Sequence, residues 1–96
     1  MGYHLSQEAE EDITSIAAIG IAEFGLDQAR RYHDGLFELF GLLATNPEMA
    51  RERMELHPPV RIHRYRSHMV IYRIDGHDIT IIRVRHGRED WMSDPA

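Results

Sequence analysis

The chain has 96 residues, no cysteine and a formal net charge of −5 with histidine neutral. That length makes one domain with one modest core, and a 43% hydrophobic content is ordinary for a globular protein, which argues against disorder. Without cysteine there is neither a disulfide framework nor a thiolate metal site, and the acidic total makes a poor general binder of nucleic acid. No apolar run approaches a membrane span and no charged-then-apolar leader precedes the first element, so a cytoplasmic protein without membrane contact is expected.

Charge is unevenly placed. Residues 1–59 hold four arginines against eleven acids, a net −7, whereas 60–96 hold seven against five, a net +2. All basic side chains are arginine. A locally basic C-terminal part is compatible with a defined acidic partner even in an acidic chain.

In chain order, Tyr3-His4-Leu5 alternates and reads as a short pairing strand. Ser6 stands where a helix N-cap belongs, followed by Glu8, Glu10, Glu11 and Asp12, which complement the positive end of the helix dipole. Ala9, Ile13, Ile16, Ala17, Gly20 and Phe24 then recur at helical spacing, predicting one buried face, and Gly25 is placed to end the helix. Asp27 is the next candidate N-cap. Ala29, Tyr32, Leu36, Leu39, Phe40 and Leu43 trace a second amphipathic face, widened by Phe37 and Leu42, until Asn46-Pro47 stops it. The short connection predicts an antiparallel helical hairpin. Residues 48–59 read as mainly a connecting loop.

Three strands follow. Val60–Tyr65 turns at Arg66-Ser67 into His68–Ile74, and Asp75-Gly76-His77 turns that strand into Ile79–Val84. Strict alternation places Val70, Tyr72, Ile74, Ile82 and Val84 on a fully apolar face that should lie under the helices. The opposite face mixes Ile71 and Ile81 with Arg73, Arg83 and Arg85. Those arginines are either a solvated face paired with nearby carboxylates or a surface for an anionic partner.

Sites for chemistry are sparse. The seven histidines show no HExxH spacing and read as scattered surface groups rather than a convergent metal site. Gly-rich phosphate loops and a G-x-S-x-G elbow are absent, and nothing indicates a cofactor. One catalytic arrangement remains open: Arg83, Arg85 and His86 close the last strand while Arg61 and Arg64 lie on another. Arginines that stabilise a developing phosphorane while a histidine moves a proton would suit RNA cleavage. Arg61 and Arg64 fall on opposite faces, so both cannot line one site.

Several ordered motifs carry a family resemblance. They are Tyr3-x-Leu5-Ser6-x-x-Ala9-x-x-Asp12-Ile13 and Phe24-Gly25 with Ala29, then Leu43-Ala44 and Asn46-Pro47. Val60-Arg61, His68-Met69-Val70-Ile71-Tyr72-Arg73-Ile74 and Ile81-x-Arg83-Val84-x-His86-Gly87-Arg88-x-Asp90 complete the set. Over nearly the whole chain this resembles the RelE/ParE toxin superfamily, and its ParE branch more closely. The resemblance implies an α+β fold, a single domain over 1–96 in the order β-α-α-β-β-β, with a helical hairpin on one face of an antiparallel-rich sheet.

It also implies a bacterial type II toxin neutralised by a ParD-like antitoxin whose flexible segment folds over it, giving a hetero-oligomer. The implied action is inhibition of DNA gyrase by protein contact, without direct nucleic-acid contact or chemistry. The alternative is a RelE-like ribosome-dependent mRNA endonuclease using Arg64, Arg83 and His86. The lysines of that catalytic set are missing, however, and no tyrosine follows Tyr72. On this reading the antitoxin covers Arg73, Arg83 and Arg85 with Ile71 and Ile81. The target is met by Arg88, Asp90 and Trp91, unless Trp91 simply caps the core.

Overall fold

The computed structural model describes residues 2–88. Strand β1 (Tyr3–Leu5) leads into helices α1 (Gln7–Phe24) and α2 (Leu26–Thr45), followed by β2 (Glu52–Arg53), β3 (Val60–Tyr65), β4 (His68–Asp75) and β5 (Asp78–His86). The strands form one sheet in the order β1-β5-β4-β3-β2; β1 runs parallel to β5 and every other neighbouring pair is antiparallel. The expected α+β architecture is what the chain adopts, with β2 as an addition that two residues were too short to announce.

Local chemistry fixes the helix ends. Ser6 caps α1: its Oγ accepts from the Ala9 N–H at 3.0 Å and donates to the Ile82 carbonyl at 2.6 Å, so one side chain both starts the helix and ties it to β5. Gly25 is the whole connection between the helices. At φ 88° it adopts a backbone that L side chains avoid, closes α1 through its N–H to the Ile21 carbonyl at 3.0 Å, and precedes α2. The N-cap of α2 is therefore Gly25, not Asp27, which lies in the first turn.

The helix-side core gathers Ala9 and Ile13 of α1, Leu36, Leu39, Phe40, Leu43 and Ala44 of α2, and Val70, Tyr72, Ile79, Ile81 and Val84 of the sheet. The Tyr72 ring is wholly buried and its hydroxyl donates to the Pro47 carbonyl at 2.8 Å. Burial pushes that phenol's pKa up, so it stays a donor. Across the sheet a second cluster joins Leu56, Val60, Ile62, Ile71 and Ile82, with Met69 packed against it. The single expected core is thus two, one on each face.

This division corrects the strand parity. Ile71 pairs with Arg83 but Tyr72 pairs with Ile81, so Ile82 is an extra residue in β5 at a bulge. The bulge turns Ile81 under the helices and Ile82 away from them, the reverse of strict alternation. Ile74, expected under the helices, lies near the hairpin end and is 37% exposed.

Candidate functional site

The apolar surface of α1 extends beyond what the sheet covers. No charged residue stands between Asp12 and Glu23, so this part of the helix is apolar or small nearly all round. Only Ala9 and Ile13 of α1 are buried, while Ile19, Ile21 and Phe24 are 57%, 46% and 61% exposed, and Leu26 beside them is 55% exposed. Phe24, expected in the core, is thus one of the more exposed large side chains of the molecule. A helix lacking a polar face normally has something packed around it.

Between this half of the hairpin and the adjacent end of the sheet lies a groove of about 520 Å³. Ile16, Ala17, Gly20 and Phe24 of α1 line one wall, Tyr32 and Leu36 of α2 another, and His68 and His86 its sheet end. The helices meet closely because Gly20 faces Ala29; a Cβ added at Gly20 would lie 3.4 Å from that of Ala29. At the sheet end, Tyr32 Oη lies 2.6 Å from His68 Nδ1, and the Tyr65 hydroxyl donates to the Tyr32 carbonyl at 2.9 Å. The rings of Tyr32 and Tyr65, and those of His68 and His86, meet edge to face at 4.9 and 5.2 Å. Burial raises the Tyr32 pKa, which keeps its hydroxyl protonated as a donor.

A second basin of about 480 Å³ shares Ser67 and His86 with the groove and is lined as well by Arg64, Met69, Gly87 and Arg88. Its walls belong together because the Gly87 N–H donates to the Ser67 carbonyl at 2.8 Å, joining the end of β5 to the β3–β4 turn. In the cross-strand register Arg64 pairs with Met69 and Met69 with Arg85, which puts both arginines on the sheet face opposite the helices.

The residues singled out in the sequence are dispersed. Arg73 stands near the opposite end of β4, paired with Asp75 at 3.2 Å. Arg83 is not on an open strip: Nε and Nη2 donate to the two carboxylate oxygens of Asp12 at 2.7 and 2.9 Å, so the guanidinium is held by α1. Ile71 and Ile81 are wholly buried, on opposite faces, and offer no exposed apolar surface beside the arginines. Arg64 and His86 do share a basin, but Arg83, the third member of the nuclease set, is turned to Asp12. Arg88 lies at the basin rim, whereas Asp90 and Trp91 fall outside the described residues. What the sequence reading passed over was the groove, although the charge-free run from Ile13 to Ala22 was its signal.

Residues 3–91 match the family described as ParE toxin of type II toxin-antitoxin system, parDE. The chain belongs to the ParE toxin family. It is 33% identical over 89 residues to Toxin ParE1 of Mycobacterium tuberculosis, a match covering 92% of this chain and 91% of that protein. It is 32% identical over 84 residues to Toxin ParE1 of Caulobacter vibrioides, covering 88% and 86% respectively. A solved chain described as the chromosomal ParDE TA system from P. aeruginosa superposes with a TM-score of 0.74 at 20% identity, covering 90% of this chain and 95% of that one. At that identity the likeness concerns the fold, and it agrees with the two-helix, five-stranded arrangement of this ParE toxin.

Proposed function

We propose that this ParE toxin inhibits DNA gyrase by contact and is neutralised by a ParD-like antitoxin that lies along the apolar flank of α1 and enters the groove beside it. The observation carrying the antitoxin site is the charge-free run from Ile13 to Ala22 ending in exposed Ile19, Ile21 and Phe24. Such a surface matches an amphipathic segment that folds on binding and lays its apolar anchors into a groove. The sequence-based placement on Arg73, Arg83, Arg85, Ile71 and Ile81 has less support, because Ile71 and Ile81 are buried and Arg73 and Arg83 are held by carboxylates.

A non-catalytic action is supported by the fate of Arg83. Nuclease chemistry at this end needs cationic groups free to stabilise the developing charge, and Arg83 is committed to Asp12. Arg88, Asp90 and Trp91 remain the proposed contact segment for gyrase, since Trp and Arg supply much of the energy in protein interfaces. The test is growth arrest on expression. His86→Ala should remain toxic and truncation after His86 should not, whereas loss of toxicity with His86→Ala and survival of the truncation would favour the nuclease.

A further inference from the structure

The basin at the sheet end differs in character from the apolar groove beside it. Arg64 of β3 and Arg88 of the segment after β5 line it, and Arg66 of the β3–β4 turn lines the adjoining groove beside Ser67 and His86, which belong to both. Among the described residues none of the three has a carboxylate partner within salt-bridge distance, whereas Arg61 donates to the Ala50 carbonyl, Arg73 pairs with Asp75 and Arg83 with Asp12. Among the described residues no Asp or Glu lines the basin, and its other polar side chains are Ser67 and His86.

Its construction holds the cations in place. Arg64 Nε donates to the Arg66 carbonyl at 2.8 Å, the Gly87 N–H ties the turn to the end of β5, and the Arg88 N–H donates to His86 Nδ1 at 3.1 Å. Arg66 sits at φ 52°, a conformation in which Gly, Asn or Asp would be at ease and a long side chain is uncommon. The fold thus carries an arginine where turn geometry alone favours a smaller residue.

We infer that this basin is a binding site for the phosphodiester backbone of a nucleic acid. Guanidinium groups match phosphate oxygens bidentately, and two cations in the basin with a third at its border are suited to successive phosphates. A protein partner is the weaker fit. Protein interfaces are anchored by apolar or aromatic side chains entering apolar pockets, and among the described residues Met69 is the one large apolar side chain lining the basin. The chain's net charge of −5 opposes general nucleic-acid affinity, so the contact works on a strand presented by a bound target, adding to the protein contact proposed above. Setting the site beside gyrase rests on that proposal; the site itself does not.

The test uses the purified full chain with three probes at low ionic strength: a short duplex DNA, single-stranded RNA of equal length, and oligoglutamate. Three phosphate contacts predict that log affinity falls against log salt with a slope of about −2.7 for the duplex or about −2.1 for the single strand. Each of Arg64→Gln, Arg66→Gln and Arg88→Gln should make that slope shallower by about 0.9 on the duplex or about 0.7 on the single strand, with an unchanged melting temperature because all three positions are exposed. Preference for duplex or for RNA identifies the strand the site reads. Binding that ignores all three substitutions, no binding to either nucleic acid, or oligoglutamate binding as tightly as both would overturn the inference; the last result would assign the basin to an acidic peptide. No gyrase is present, so the outcome is independent of whether gyrase is the target.

Discussion

Asp12 on α1 and Arg83 on β5 form a two-pronged ion pair at 2.7 and 2.9 Å, and the same carboxylate also accepts the Val84 N–H at 2.9 Å. One side chain thereby satisfies the backbone just past the bulge and ties the first helix to the sheet. The pair is largely shielded, with side-chain exposures of 16% for Asp12 and 21% for Arg83. Removing one partner leaves a partly buried cation and an orphaned amide. Asp12→Ala should therefore cost about 2–4 kcal/mol, read as a lower urea midpoint at unchanged m. A loss below about 0.5 kcal/mol, the usual effect of a surface substitution, would show that the pair is ornamental.

The antitoxin surface is tested by charge. Ile19→Glu and Phe24→Glu place carboxylates on exposed positions, so the toxin should fold with a melting temperature close to the parent's. Affinity for the cognate antitoxin should fall at least about tenfold for each, since a buried apolar anchor of this size contributes more than 1.4 kcal/mol. Arg73→Glu, far from the groove, should change it little. Equal affinity for all three variants would remove the α1 flank from the interface.

Much of the fold was legible before any coordinates. Ser6, Gly25, Asn46-Pro47 and Gly76 are local signals whose chemistry acts within a few residues, and each marks a boundary where expected. Ile81 and Ile82 were misassigned because a bulge cannot be read from alternation. It is accompanied by Ser6 binding the Ile82 carbonyl and Asp12 binding the Val84 N–H, contacts more than seventy residues apart in sequence. Phe24 failed for another reason. Helical periodicity identifies an apolar face but not its cover, and this one outruns the sheet. Arg83 looked like a surface cation because Asp12 was read only as a complement to the helix dipole.

Acid should loosen the edge strand first. The Gly2 N–H, at 2.8 Å, and the His4 ring, at 3.1 Å, bind the Asp78 carboxylate and hold its pKa below the usual range. The Thr80 hydroxyl, then Arg73, lowers that of Asp75. In both cases the folded value lies below the unfolded one. The stabilisation is present above the ordinary carboxyl pKa of about 3.9 and is lost as pH falls through the lower folded value. Hydrogen exchange or chemical shifts of Tyr3–Leu5 should report loosening of β1 below about pH 4, and Asp78→Asn should loosen it at neutral pH. A β1 signal indifferent to both acid and Asp78→Asn would refute the tether.

The most direct test of contact inhibition is supercoiling of relaxed plasmid by purified gyrase, titrated with this toxin. The account predicts dose-dependent inhibition that His86→Ala preserves and added antitoxin reverses. Undiminished supercoiling at saturating toxin, together with cleaved mRNA on ribosomes exposed to the same preparation, would contradict it.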